Sequence, residues 1–491
     1  MYISTRGHAE KITASQAIVA GIAPDGGLYV PESFPKYSEL DISNLCDLDY
    51  KGRAKYILSE LLDDFTDDEI ASCVNNAYGN GKFPEAVAPI APVSENLWSL
   101  ELWHGPTCAF KDMALQILPH LMTTAMKKNG TDKKVLILVA TSGDTGKAAL
   151  EGFKDVEGTK IITFFPEEGV SKVQKLQMTT QEGKNVNVFG VYGNFDDVQT
   201  AVKKIFVDKK IIDEIAEKGY TFSSANSINW GRLVPQIVYY FSAYCDLVNS
   251  GFIGIGDEIE FCVPTGNFGN ILAGYYARKM GLPVKRFICA SNANNVLTDF
   301  ITTGKYSKCR DFYTTISPSM DILISSNLER LLFDLSDNNA EETAALMEEL
   351  NKRGSYSISE GLKEKLQSLF AAGSLNDEKT MQEIKARYTD DNYLCDTHTA
   401  VALGVYRQVG DKDTTTVIVS TADPYKFNYP VLKAIGAPIN DSMNEFMLVD
   451  ELARFTKTKI PAQISSLKTK EVRFNEKIAK YGIANKVRES I

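Results

Sequence analysis

The chain has 491 residues, and at about 150 residues per domain that length accommodates two to four domains. Its 44% apolar and 24% charged residues are those of an ordinary globular protein, and a net charge of −10 argues against a nucleic-acid binder, which normally shows a basic face. No apolar run reaches membrane-spanning length, the opening MYISTRGHAEK lacks a secretory apolar core, and eight cysteines without a C-x-x-C pair fit reduced thiols in a cytoplasm.

The first ninety or so residues mix a turn-rich stretch, APDGGLYVPESFP, with helical periodicity in YKGRAKYILSELLDDF. A further helix opens at TDDEIASCVNNAYG, with Thr66 and Asp67 as candidate N-caps. These predict a small N-terminal domain over about residues 1–92, closing at the proline-containing FPEAVAPIAPV. NLWSLELW then alternates as a strand and leads into HGPTCAFKDMALQILP. There Lys111 follows a turn and begins a helix whose apolar residues Ala114, Ile117, Leu118, Leu121 and Ala125 share one face. Pro119 predicts a kink or break. A helix N-terminus carries partial positive charge, so a lysine there is either a solvated surface cation or an amine whose pKa is lowered for nucleophilic work.

Beyond Lys111, strand-like runs (KVLILVA, KIITFF, VNVFGVYG, IEFCVP, KRFICAS, TTVIVS) are spaced by helical stretches such as DDVQTAVKKIF. Near-continuous apolar strands spaced by helices predict an α/β fold with two parallel or mostly parallel sheet domains. The expected division puts a smaller α/β domain at about 130–230 and a larger one over 93–129 and 231–491. Charged, amphipathic runs between about 336 and 410 predict a helical insertion in the latter.

Two strand-to-helix junctions have the chemistry of anion sites. VATSGDTGKAAL and FCVPTGNFGNILAGYY both place glycines where backbone N–H groups of the next helix can face a phosphate or carboxylate. Neither is a P-loop or a dinucleotide fingerprint, which argues against an ATPase. The competing reading makes Ser142, Asp144, Thr145 and Asn270 helix caps. At VIVSTADPYKF, Thr421 follows a strand end, the edge where open α/β sheets bind ligands, or is a turn residue. The four histidines are too dispersed to predict a metal site.

A reactive lysine, a single-phosphate cradle, a second anion loop and a strand-end hydroxyl all suit pyridoxal 5'-phosphate. The segments HGPTCAFKDMALQ, TSGDTG, SANSINWGR, PTGNFGN, SPSMDILISSNLERLL and STADPYKF together resemble the threonine synthase family. That family lies in the tryptophan-synthase-β-like group of pyridoxal-phosphate enzymes, and YISTRG and APDGGLYVPE resemble its longer fungal and bacterial branch.

The resemblance implies conversion of O-phospho-L-homoserine and water to L-threonine and phosphate, the last step of threonine biosynthesis. It implies Lys111 as the Schiff-base lysine and proton shuttle. It gives Gly266, Asn267, Phe268, Gly269 and Asn270 to the cofactor phosphate and Thr421 to the pyridine nitrogen. Asp144 is expected near the phenolic oxygen, where many relatives place an asparagine. Ser142, Gly143 and Thr145 are expected to serve the substrate carboxylate, and Ser227, Asn229 and Arg232 its phosphate. The alternative is another pyridoxal-phosphate lyase of the group, such as threonine dehydratase. A monomer or weak homo-oligomer in the cytoplasm is expected, without nucleic-acid or membrane partners.

Overall fold

The computed structural model describes residues 1–491 apart from Ser142, Glu168, Gly169 and Asp441, and apart from the side chains of Phe195 and Asp196. Within it the strands form two main sheets. The smaller has five parallel strands in the order Lys477–Ala479, Val186–Tyr192, Thr159–Pro166, Lys134–Ala140 and Tyr220–Ser223. The larger runs Phe370–Ser374, Val284–Ser291, Ile259–Pro264, Thr416–Ser420, Leu97–Glu101 and Ile90–Ser94. Its neighbours pair in parallel except the final Leu97–Glu101 and Ile90–Ser94 hairpin. The central strands are buried throughout, as the unbroken apolar runs required.

Helix ends follow local chemistry. Thr66 caps Asp67–Tyr78, accepting from the Glu69 N–H while the Glu69 side chain returns the bond. Asp67 lies in the first turn, where its charge suits the helix dipole. The predicted break before Pro119 is present: Lys111–Leu115 ends, and a second helix, Leu118–Lys128, starts with the proline in its first turn. Helix Tyr50–Leu61 packs on the buried helix Pro235–Asn249, to which Arg53 is tied through Asp246 at 2.6 Å. The N-terminal region is thereby fixed to the element that also supports the glycine loop at 266–270.

Two segments differ from expectation. The stretch at 336–410 does hold helices Ala340–Arg353, Glu360–Leu369 and Asp377–Asp390, but its Phe370–Ser374 lengthens the larger sheet at its edge. FAAGS has little β propensity, and it is pairing with Phe287–Ser291 that makes it a strand. The C-terminal tail, expected with the larger domain, joins the smaller sheet: Lys477–Ala479 pairs with Gly190–Tyr192. Ile478, Ile483 and Val487 pack there against Val198, Val202 and Ile205. Among the described residues no helix is long and apolar enough to cross a membrane.

Candidate active site

Lys111 begins its helix clipped to the carboxyl end of the Thr416–Ser420 strand. The Phe110 N–H donates to the Thr421 carbonyl at 2.9 Å, and Ala109 bridges Ala422. Asp112 is buried behind it and accepts both the Thr107 N–H and hydroxyl at 2.7 Å. Burial lifts the Asp112 carboxyl to about 6, against those two bonds. The Lys111 amine stands 3.4 Å from Ser319 Oγ and 4.0 Å from Asp144 Oδ2. Burial pulls its pKa down to about 8; Asp144 opposes the shift, while the nearby cations Lys426 and Arg232 reinforce it. A lysine misplaced at a helix start is here an amine that loses its proton more readily than an exposed lysine.

Asp144 is not a cap. Helix Asp144–Phe153 has Gly143 at its N-cap position, with no side-chain capping bond. The Asp144 carboxylate instead accepts from Lys426 Nζ at 2.6 Å and Gln174 Nε2 at 3.0 Å. Burial alone would raise its pKa, but Lys426 and Lys111 hold it well below the usual carboxylate range. Lys426, fully shielded from solvent, also donates to the Thr107 carbonyl at 2.9 Å. The Gly143 N–H donates to Thr141 Oγ1 at 3.1 Å, so it is engaged locally rather than open to a ligand. A Cβ at Gly143 would fall 2.5 Å from Gln174 Nε2. Thr145 is half-buried on the first turn, and Ser142 lies outside the described residues.

The loop from Gly266 to Asn270 joins strand Ile259–Pro264 to helix Gly269–Lys279, with Phe268 in left-handed backbone at φ 63°. Its carbonyls are held from behind. Ser325 Oγ donates to the Gly266 carbonyl at 2.7 Å, and the Asn327 N–H and Nδ2 both donate to the Asn267 carbonyl at 3.1 Å. The N–H groups of Gly266, Asn267 and Phe268 donate to no described backbone carbonyl. Asn270 Oδ1 accepts from the Tyr239 and Tyr240 hydroxyls, so it too is no cap, while its buried Nδ2 lacks a partner among the described residues. Free donors at a helix N-terminus and one orphaned buried amide fit a phosphate monoester.

The remaining predicted residues divide. Ser227 lies against the loop, its Cβ 3.9 Å from where a Cβ on Gly269 would be. Arg232, 7% exposed, donates to the Ala225 carbonyl at 2.7 Å and meets no carboxylate within 4.0 Å among the described residues. Burial pulls its pKa down to about 10. The Thr421 hydroxyl, buried at the strand end, is bonded to no described residue. Asn229 departs from expectation: its Oδ1 caps the Gly231 N–H, and its Nδ2 donates to the Ile18 and Ser224 carbonyls. That leaves it no free donor for a substrate. Lys426, Ser319 and Asn327 escaped residue-by-residue reading. Lys426 alone left a local signal, a lysine in the aromatic run PYKF directly after a strand-end turn.

Three family models match in order along the chain: the threonine synthase N terminus at residues 1–78, the pyridoxal-phosphate dependent enzymes at 87–360, and the threonine synthase C-terminal region at 399–486. Threonine synthase of Pseudomonas aeruginosa is 39% identical over 88% of this chain and 90% of its own length. Human threonine synthase-like 1 is 42% identical over 87% of this chain, which spans only 59% of that protein. The crystal structure of PLP-bound threonine synthase from Brucella melitensis superposes with a TM-score of 0.89, at 36% identity, covering 100% of this chain and 99% of that one. By these matches in order, length and fold, the chain belongs to the threonine synthase family of pyridoxal-phosphate-dependent enzymes.

Proposed function

We propose that the chain is a carbon–oxygen lyase converting O-phospho-L-homoserine and water to L-threonine and phosphate, with pyridoxal 5'-phosphate as cofactor. The observation that carries the substrate choice is Arg232, a buried guanidinium near Lys111 with no carboxylate partner among the described residues. A desolvated cation without a counter-ion suits a second phosphate besides the one the 266–270 loop would hold. A threonine dehydratase acts on an unphosphorylated substrate and needs no such group.

When bound, the cofactor supplies an electron sink for carbanions formed on the amino-acid substrate. The Gly266–Asn270 loop would hold its phosphate through backbone N–H groups and the Asn270 amide. Thr421 would offer its hydroxyl to the ring nitrogen, a neutral partner that leaves that nitrogen less protonated than a carboxylate would. Lys111, its pKa lowered by burial, accepts a proton at Nζ from the substrate carbon and returns it at the neighbouring positions. Asp144, kept ionised by Lys426, stabilises positive charge at that nitrogen. Arg232 and Ser227 bind the substrate phosphate and hold it as the leaving group. The substrate carboxylate is assigned, from the family resemblance, to Ser142, Gly143 and Thr145, of which Thr145 offers a half-buried hydroxyl on the first turn of its helix. Asn229 acts one step back, shaping the turn that presents Arg232.

An N-terminal threonine-synthase domain over 1–92 precedes a catalytic region over 93–491, and the protein works in the cytoplasm as a monomer or weak homo-oligomer. The test of function is incubation of the cofactor-loaded protein with O-phospho-L-homoserine, measuring threonine and phosphate together. Equimolar release supports the reading. Release of a keto acid and ammonia, or turnover of unphosphorylated threonine instead, refutes it.

A further inference from the structure

The four histidines are dispersed along the chain, yet one of them backs the serine that faces the reactive lysine. His398 is 2% exposed and sits in the first turn of helix Thr397–Val409. Its Nε2 accepts the Ser319 N–H at 3.1 Å, and its Nδ1 faces Asp396 Oδ2 at 2.6 Å. A nitrogen that accepts carries no proton, so the ring proton is on Nδ1 and is donated to Asp396. Asp396, wholly buried, is itself locked by the N–H groups of His398 and Thr399 at 2.9 Å each. The tautomer and the ring orientation are thereby set by the cap of a thirteen-residue helix.

We infer that Ser319 is the hydrogen-bond acceptor that aims the Lys111 amine whenever that amine is not attached to the cofactor, and that the Asp396–His398 pair is the device that positions Ser319. The inference rests on Lys111 being the cofactor lysine. Ser319 occupies a single 3-10 turn, Pro318–Met320, too short to fix its own orientation. Its Oγ is 3.4 Å from Lys111 Nζ. Its carbonyl lies 2.9 Å from where a Cβ on Gly266 would be, so the same turn also borders the phosphate loop.

The chemistry favours a hydroxyl here. A lysine side chain carries about 2 kcal/mol of rotamer entropy and must be held to act as a base. A carboxylate in contact would hold it but raise its pKa and keep it protonated. Asp144 stays back at 4.0 Å, engaged with Lys426 and Gln174. Asp112 is turned to Thr107, and Lys426 and Arg232 are cations that cannot accept. Ser319 supplies an acceptor without charge.

The test compares Ser319→Ala, His398→Ala and His398→Gln with the wild-type chain, all stripped of cofactor. Pyridoxal 5'-phosphate is added and the growth of visible absorbance from attachment to Lys111 is timed, with thermal midpoints and kcat and KM measured alongside. One lost hydrogen bond predicts a loading rate and kcat lowered roughly three- to tenfold in Ser319→Ala, with KM and melting nearly unchanged. His398→Ala should fall as far, and His398→Gln, whose amide oxygen can take the place of Nε2, should recover most of the rate. Wild-type loading and kcat in Ser319→Ala would overturn the inference. So would a His398→Ala defect that follows the melting temperature and is not rescued by Gln, since it would mean a structural role only. Ser319 is exposed, so its truncation leaves folding intact and the test stands even if His398→Ala does not fold. Absence of the wild-type absorbance would overturn both this inference and the cofactor reading beneath it; a wild-type signal with an unaltered Ser319→Ala overturns the inference alone.

Discussion

Lys426 and Asp144 form a 2.6 Å ion pair in which the lysine is fully shielded from solvent, and the other oxygen of that carboxylate is 4.0 Å from Lys111. The pair fixes a negative charge beside the reactive amine without letting the two merge into a simple salt bridge. Breaking it strands a buried ion. Asp144→Asn or Lys426→Met should each cost about 3–5 kcal/mol of stability, and the double variant should recover most of that loss. Urea unfolding of the three variants measures the outcome; equal, additive losses would show two independent side chains.

The same pair sets an acid limit. The folded pKa of Asp144 is depressed, so the stability it contributes is fully present above its unfolded value of about 3.9 and is lost as the pH falls below that value. Wild-type stability should therefore drop more steeply than that of the double variant through the range below about pH 4. Parallel curves from acid-denaturation monitored by circular dichroism would remove Asp144 from the linkage.

The lowered pKa of Lys111, about 8, predicts how the cofactor-free protein reacts. The neutral amine is the nucleophile, so the rate of attachment of pyridoxal 5'-phosphate should rise with pH and level off above about 8. Borohydride reduction followed by peptide mapping should place the adduct on Lys111. A half-rise near the ordinary lysine value of about 10.4 would show that the site does not tune the amine.

Gly266 is required by a close approach rather than by its backbone angles. A Cβ there would sit 2.9 Å from the Ser319 carbonyl oxygen, a backbone atom that cannot swing aside. Gly266→Ala should push the phosphate loop and the Pro318–Met320 turn apart and weaken cofactor binding by roughly tenfold or more, about 1.4 kcal/mol. Dilution-driven loss of visible absorbance would measure it.

What could be read from the sequence was what depends on neighbours in the chain. The Lys111 helix start, the break before Pro119 and the Gly266–Asn270 junction each follow from a few adjacent residues. For Asp144 the sequence leaves a cap as the competing reading beside a cofactor role, and only its distant partner Lys426 removes the cap. Asn229 runs the opposite way: its motif points to a substrate ligand, and its side chain is taken up as a cap and a tie to the Ile18 and Ser224 carbonyls. Strands Phe370–Ser374 and Lys477–Ala479 went unseen because three to five residues at a sheet edge take their conformation from the partner strand. Ser319 and His398 are legible only as a pair, since neither has a local pattern.

Arg232 offers the sharpest separation of stability from function. It is 7% exposed, and its guanidinium donates to a neutral carbonyl, that of Ala225, at 2.7 Å. Burial pulls its pKa down to about 10, so in the ligand-free protein the charge is held at a cost. A structural arginine would be compensated by a carboxylate, and removing it would destabilise the fold. An arginine awaiting an anion should behave differently. Arg232→Met keeps most of the packing volume and removes the desolvated charge, so its melting temperature should match or exceed that of the wild type. Against O-phospho-L-homoserine it should lose the charge-assisted contact, about 1.5–3 kcal/mol, or roughly ten- to a hundredfold in kcat/KM. Binding of unphosphorylated threonine, followed by the spectrum of the bound cofactor, should change much less. A lower melting temperature together with equal losses for both ligands would make Arg232 a structural residue and leave the substrate phosphate without its proposed partner.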